Sequence, residues 1–194
     1  MRGTARLLTE RLQLRRFRED DAEAAYRNWM SDPEVTRFLS WETHPDPEVS
    51  RRTIAEWVSE YASGTMDWCI TLRGSDEPIG SITVVREHPE KGYCEIGYCL
   101  CQRYWDHGYM TEALRAVVNY VFDTTGYEWI QARHDTENEA SGRCLEKSNF
   151  RETGILELPD PKTGRMREYR FMAIRRGDVM LHPRSGRFSL TRSM

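Results

Sequence analysis

The stretch from Glu95 to Leu114 reads EIGYCLCQRYWDHGYMTEAL, and its hydrophobic pattern changes at Gly108. The run before the loop is typical of a strand, whereas the apolar residues after Gly108 recur at helical spacing. The stretch therefore predicts a strand, a glycine-bearing loop and a helix, in that order. Because the first N–H groups of a helix have no internal partner and carry partial positive charge, this arrangement suits a phosphate group. One glycine between a strand and a helix is common, so the motif alone is weak evidence.

The overall composition indicates which classes of protein the chain can belong to. The chain has 194 residues, of which 39% are hydrophobic and 30% charged, which is typical of one globular domain. The formal net charge of -3 argues against a dedicated nucleic-acid binder. No apolar run approaches the ~20 residues of a membrane span, and the first residues lack the apolar core of a secretory signal. We therefore expect a cytoplasmic protein with neither nucleic acid nor membrane as a partner.

The cysteines and histidines do not form a recognisable metal-binding pattern. An odd number of cysteines, mostly within apolar segments, favours free thiols in a reducing compartment. These are Cys69, Cys94, Cys99, Cys101 and Cys144. The histidines are scattered without pairing at helical spacing, so we predict no metal site. They are His44, His88, His107, His134 and His182.

Periodicity and capping signals place further elements along the chain. Alternation over Leu12–Phe17 predicts a first strand at a sheet edge. The remaining predicted elements are, in chain order, a helix over Ala22–Met30, a helix from Asp46 to Tyr61, a hairpin of Trp68–Arg73 and Ile79–Val85, a helix closing at Thr124–Gly126, a strand over Trp129–Arg133 and a final hairpin of Glu152–Leu158 and Met166–Arg175. Because a helical crossover joins the Glu95 strand to the Trp129 strand, these two strands should run parallel.

A second informative stretch runs from Asn138 to Phe150 and reads NEASGRCLEKSNF. Asn138 is a good N-cap, and Asn149 can adopt the left-handed conformation that closes a helix. The stretch therefore predicts a short capped helix. The aromatic segment Val35–Trp41 either packs inward as a short helix or contacts a substrate, and inward packing is the commoner use of aromatic residues.

Both stretches resemble sequence motifs of the GNAT N-acetyltransferases. The string from Arg103 to Gly108, followed by YMTEA, resembles the acyl-CoA loop of this family, especially in the RimJ/RimL-like branch that acetylates ribosomal-protein N-termini. The family signature Q/R-x-x-G-x-G/A places Asp106 where a glycine is usual. The second stretch resembles the family string N-x-x-S-x-x-x-x-E-K-x-G-F, with Asn149 in place of the glycine. The resemblance covers roughly Leu7 to Arg175.

The resemblance implies an α/β (α+β) GNAT-like acyl-CoA N-acyltransferase fold, with a mixed, mostly antiparallel sheet, helices on both faces and a V-shaped split between strands. It implies that residues 1–176 form the N-acetyltransferase domain and that residues 177–194 form a C-terminal extension. Acetyl-CoA would be the cosubstrate, and the other partner an amine acceptor. The protein could be a monomer or a homodimer.

The resemblance also implies a set of residues that bind the cosubstrate. Backbone amides of the loop and of the first helical turn would hold the pyrophosphate, and strand residues would pair with the pantetheine arm. The cofactor-binding candidates are Cys99, Leu100, Cys101, Arg103, Asp106, His107, Gly108, Tyr109, Met110, Thr111, Asn138 and Arg143. Asp106 would either repel the phosphates or simply tolerate the turn.

Two residues are candidates for catalysis. Glu95 begins a largely apolar strand and could accept a proton from the incoming amine, directly or through water; the alternative is an ion pair with a nearby arginine. Ser141 matches the serine of the family string and could protonate the leaving thiolate or orient the sulfur. The alternative is a serine that bonds back to its own helix.

The resemblance implies direct transfer of an acetyl group to a primary amine, with a protein N-terminal α-amine as the first candidate. Two alternatives remain open at this point. One is a small amine such as an aminoglycoside or polyamine, which an acidic pocket containing Glu42, Asp46 and Glu48 would favour. The other is a non-catalytic acyl-CoA-binding regulatory module.

Overall fold

The structure is a computed structural model that describes residues 3–179 and is built around one eight-stranded sheet. The strands occur in the order β1-β2-β3-β4-β5-β6-β8-β7. Their bounds are β1 Leu7–Leu8, β2 Leu12–Arg15, β3 Asp67–Leu72, β4 Pro78–His88, β5 Tyr93–Leu100, β6 Trp129–Asp135, β7 Arg151–Pro159 and β8 Met166–Arg175. The helices are α1 Ala22–Ala25, α2 Pro33–Thr36, α3 Pro47–Glu60, α4 Tyr109–Thr124 and α5 Glu139–Lys147.

The sheet confirms the predicted mixed topology. Of the strand pairs, β5 and β6 run parallel, with α4 as their connection, and the other pairs are antiparallel. The pairing of β5 with β6 extends only from Tyr93↔Trp129 to Glu95↔Gln131. Beyond Glu95 the two strands separate, which produces the V-shaped split.

Helices cover both faces of the sheet, as expected. The apolar face of α4 is buried in the larger core; its members include Ala113, Leu114, Val117, Val118, Val121 and Phe122. A second core lies on the opposite face, where Trp29 and Ile54 pack with Phe17. Leu39 and Trp41 pack against this second core, so the segment after α2 packs inward.

Local capping explains where two helices begin. The Asp46 side chain accepts hydrogen bonds from the N–H groups of Glu48 and Val49, and Pro47 occupies the first helical position of α3. The Asn138 side chain accepts a hydrogen bond from Ser141 N at the start of α5. Asn149 adopts a left-handed φ of 66° after α5, as predicted. The helix predicted over Ala22–Met30 is irregular, because α1 passes into a π-helical turn at Tyr26.

The prediction that the Leu12 strand lies at the sheet edge is wrong. The short strand β1 pairs with β2 and occupies the edge instead. The turn between them is closed by hydrogen bonds from Thr9 N to Leu12 O and from Leu12 N to Thr9 Oγ1, which the alternation pattern could not reveal.

Most of the predicted C-terminal extension, from Met180 onward, lies outside the described residues. Its first residues form a turn over Arg176–Asp178, and Val179 packs against the larger core. Within residues 3–179, none of the helices is long and apolar enough to cross a membrane.

Candidate active site

The split between β5 and β6 exposes backbone groups of β5 that have no strand partner on that side. Cys101 N donates to Ile79 O of β4 at 2.8 Å. Because successive residues of a strand direct their N–H and C=O groups to opposite sides, the backbone groups of Tyr98 and Leu100 face the split rather than β4. The Leu100 carbonyl accepts a hydrogen bond from Trp105 Nε1 at 2.7 Å. The backbone polar groups of Tyr98 and the backbone N–H of Leu100 are therefore directed into the split. Of the three strand residues predicted to bind the cosubstrate, Leu100 faces the split, whereas the backbone groups of Cys99 and the N–H of Cys101 face β4.

Glu95 lies at the point where the two strands separate. It is on the same face of β5 as Cys99, which packs into the second core, and its side chain is 18% exposed. Arg86 on β4 approaches it, with Nη1 4.0 Å from Glu95 Oε1. His88 Nε2 lies 3.5 Å from the same carboxylate oxygen. The alternative to a catalytic role, an ion pair between Glu95 and an arginine, is thus long, and the Arg86 side chain is largely exposed.

The opposite face of the split carries Tyr98 and Ser141. Tyr98 packs on the larger core, and its hydroxyl lies 2.9 Å from Ser141 Oγ and 3.2 Å from Ser141 O. Burial raises the pKa of Tyr98 well above its usual range, so the phenol is protonated and can donate. Asn138 is engaged as the helix cap through Ser141 N at 3.2 Å. Of the two roles considered for Asn138, the observed one is structural.

The loop from Arg103 to Gly108 leads directly into α4. Asp106 adopts a left-handed φ of 60°, and Gly108, the N-cap residue of α4, has a φ of 75°. Aspartate adopts the left-handed conformation more easily than most residues do, which explains how Asp106 can occupy a position where glycine is usual. No side chain among the described residues caps the helix start. The N–H groups of Tyr109, Met110 and Thr111 are therefore available to a ligand.

The charged side chains predicted near the pyrophosphate make other contacts. Arg103 Nη2 lies 3.0 Å from Glu77 Oε1, and Arg143 Nη1 lies 3.0 Å from Glu139 Oε2. His107 Nδ1 lies 2.6 Å from the Trp105 carbonyl. Asp106 itself is exposed. None of these contacts excludes a phosphate from the backbone amides, which lie at the start of α4.

Glu112 is a structural residue of this site that sequence reasoning missed. It accepts hydrogen bonds from Thr9 Oγ1 at 2.6 Å, from Arg11 N at 2.8 Å and from Arg11 Nε at 2.7 Å. Arg11 Nη1 in turn donates to His107 O at 2.9 Å. Burial opposes ionisation of Glu112, but these hydrogen bonds outweigh it and lower its pKa. The first turn of α4 and the loop before it are thus tied to the turn between β1 and β2.

The cysteines near the split, Cys99 and Cys144, are poor nucleophiles. Burial raises the pKa of the Cys99 thiol to about 11, and its sulfur lies 3.3 Å from Ser81 Oγ. Burial also raises the pKa of Cys144, whose sulfur lies 3.6 Å from Thr111 Oγ1. Because a neutral thiol attacks a thioester slowly, this chemistry favours direct transfer over an acyl-cysteine intermediate.

An uncapped helix start beside a split in a mixed sheet suits the phosphates and the extended arm of an acyl-CoA, and comparison with known proteins identifies the family. The family model described as an acetyltransferase (GNAT) domain matches residues 11–151. The chain belongs to this family and is an acetyl-CoA-dependent N-acetyltransferase. A relative from Bacillus licheniformis, the uncharacterized N-acetyltransferase p20, is 30% identical over 172 residues, which cover 88% of this chain and 96% of p20.

Solved structures share the fold. The GNAT-family acetyltransferase from Bacillus anthracis superposes with a TM-score of 0.77 at 24% identity and covers 88% of this chain and 98% of its own. RimL, the ribosomal L7/L12 alpha-N-protein acetyltransferase, in complex with coenzyme A, gives a TM-score of 0.77 at 17% identity, with 87% of this chain and 96% of RimL covered. At these identities the likeness concerns the fold alone.

Proposed function

We propose that this enzyme acetylates a protein N-terminal α-amine by direct attack on acetyl-CoA. The observation that carries the choice of acceptor is the charge around the split. On the face where Glu95 lies, β6 contributes Gln131, Arg133 and Asp135. Asp135 is buried and paired with Arg167 at 2.8 Å. Glu95 is therefore the one carboxylate among these β5 and β6 side chains without a close ion pair.

A single weakly paired carboxylate suits an acceptor with one positive charge. A polyamine or aminoglycoside carries several ammonium groups and would require several free acids. Two of the three acids considered for such a pocket have other roles, since Asp46 caps α3 and Glu48 pairs with Arg51 at 2.9 Å, which leaves the exposed Glu42 as a single acid. The exposed Arg133 adds positive charge close to the split, which disfavours a polycation further.

The residues at hand can hold the cosubstrate and handle the protons of the reaction. Acetyl-CoA supplies an activated acetyl carbonyl for attack by the free amine. We assign the N–H groups at the start of α4 to its phosphates, and the backbone groups of Tyr98 and Leu100 to its pantetheine arm. On the opposite face from Ser141, Glu95 accepts a proton from the incoming ammonium, directly or through water. Ser141, hydrogen-bonded to Tyr98, donates a proton towards the departing sulfur.

A panel of acceptors tests this proposal through release of free thiol from acetyl-CoA. The matched pair is one lysine-free peptide with a free N-terminus and the same peptide with a blocked N-terminus; spermidine and an aminoglycoside complete the panel. We expect thiol release and a mass increase of one acetyl group for the free peptide only. Acetylation of the polycations in preference to every free peptide would overturn the choice of acceptor. Binding of acetyl-CoA without turnover of any amine would favour a regulatory module.

A further inference from the structure

We propose that His88 positions Glu95 and relays the proton that Glu95 accepts; this inference rests on the proposed function. The two side chains face each other across neighbouring strands, with His88 Nε2 3.5 Å from Glu95 Oε1. Nε2 is shielded from solvent and makes no hydrogen bond within the described part of the chain. The carboxylate of Glu95 is therefore the group that this buried nitrogen faces.

A β-bulge places His88 on the face of Glu95. The pairing of β4 with β5 shifts between Val84 and Arg86, so that Arg86 lies opposite Glu95 and His88 lies opposite Tyr93. The additional residue, Val85, is 58% exposed. Without the shift in register, Val85 would lie opposite Glu95, and His88 would point to the other face of the sheet. The bulge therefore replaces an apolar neighbour of Glu95 with two basic ones.

Aromatic stacking holds the imidazole in place. The His88 ring stacks on Tyr93 with centroids 4.4 Å apart and an interplanar angle of 21°. Tyr93 stacks in turn on Trp129 at 5.0 Å and 9°. The three rings cross strands β4, β5 and β6 at the closed end of the split. This row limits rotation of the imidazole and keeps Nε2 near the carboxylate of Glu95.

Charged groups on each neighbouring element define a direction for the proton. Glu90, in the turn after β4, places Oε1 3.8 Å from His88 Nδ1, and its side chain is largely exposed. Glu95 on β5 faces Nε2, and Arg86 on β4 approaches Glu95 from the other side at 4.0 Å. His88 thus lies between a half-buried carboxylate at the split and an exposed carboxylate in contact with solvent.

The relay conserves protons at each step. An N–H bond of the ammonium breaks as an O–H bond forms on Glu95, which leaves the amine free to attack. That O–H bond then breaks as Nε2 of a neutral His88 takes the proton, and Nδ1 releases its own proton to solvent on the Glu90 side. Glu95 is thereby restored as a carboxylate for the next turnover.

His88→Phe tests the relay, because phenylalanine keeps the ring stack and removes both nitrogens. With an acceptor peptide found by the panel described above, we expect kcat to fall roughly tenfold, with little change in KM, and the pH profile to change shape. In the Glu95→Gln background, His88→Phe should have no further effect, because without the Glu95 carboxylate no proton is passed to His88. Lys91→Gln is the matched control, since it removes an exposed charge from the same turn and should leave kcat nearly unchanged.

A measurement that needs no acceptor distinguishes a failure of the role proposed for His88 from a failure of the proposed function. The ¹⁵N resonances of His88 in the full-length protein should shift between wild type and Glu95→Gln and remain in place in a Glu139→Gln control. Unchanged resonances would overturn the contact itself. A wild-type pH profile for His88→Phe, together with a damaged Glu95→Gln enzyme, would overturn the relay and leave Glu95 as the base.

Discussion

The hydroxyl of Tyr98 lies 2.9 Å from Ser141 Oγ, so a strand on one side of the split is hydrogen-bonded to the first turn of α5 on the other. Ser141 was expected either to serve the leaving sulfur or to bond back to its own helix. The observed contact is a third arrangement, in which the serine hydroxyl is oriented by a protonated phenol from β5. The two hydroxyls can therefore act as a unit.

Tyr98→Phe and Ser141→Ala should each lower kcat by roughly tenfold or more, because each removes part of the donor for the departing thiolate. The double variant should be little worse than the worse single variant, since residues that act as a unit are non-additive. The rate of thiol release from acetyl-CoA, at saturating concentrations of the preferred acceptor, gives kcat for each variant. Tyr104→Phe, which removes a phenol within the loop between β5 and α4, is the control. Additive losses would show that the two hydroxyls act separately.

Glu95→Gln should lower turnover chiefly below the pKa of the acceptor amine. A base is needed only while the amine arrives as ammonium, so the deficit should shrink as the pH rises. Rates at saturating acetyl-CoA from about pH 6 to 9 provide the measurement. A constant ratio to wild type across that range would make Glu95 a structural residue.

Glu112→Gln should lower the free energy of unfolding by about 1–3 kcal/mol at neutral pH, because it weakens three partly buried hydrogen bonds. The pKa of Glu112 is lowered in the folded state, so its contribution is present above the ordinary value of 4.5 and is lost as the pH falls through the folded-state pKa. Urea unfolding at neutral and acidic pH tests both parts. Glu139→Gln, which removes an exposed ion pair within α5, should cost at most about 0.5 kcal/mol. A difference between wild type and Glu112→Gln that persists below the folded-state pKa would contradict the electrostatic account.

Asp106→Asn should tighten acetyl-CoA binding at low salt. Asparagine also adopts the left-handed conformation found at this position, so the substitution removes charge without disturbing the turn. Repulsion between an exposed carboxylate and the phosphates is screened by salt, and the gain should fade as ionic strength rises. Dissociation constants of acetyl-CoA, measured by calorimetry for wild type and Asp106→Asn at two salt concentrations, test this prediction. Equal affinities for both proteins at both concentrations would mean that the carboxylate points away from the phosphates.

The sequence by itself determined the elements that depend on local chemistry. Helical spacing predicted the buried face of α4, and Asp46 and Asn138 marked the starts of α3 and α5, because a cap is made within one turn of its helix. The crossover through α4 was enough to predict that β5 and β6 run parallel, whereas the split between them was implied by the family resemblance. The family motifs in the sequence indicated an acyl-CoA-binding enzyme.

Only the tertiary structure decided which side chains meet at the site. Glu112 contacts Arg11, 101 residues away in the chain, and no local pattern records that contact. The neighbours of Glu95 depend on one additional residue in β4, because a shift of one position exchanges every side chain between the two faces of a sheet. Tyr98 meets Ser141 because strands β5 and β6 separate and α5 packs beside the split. Such contacts arise from the packing of distant segments, so they follow from strand register and sheet geometry rather than from local periodicity.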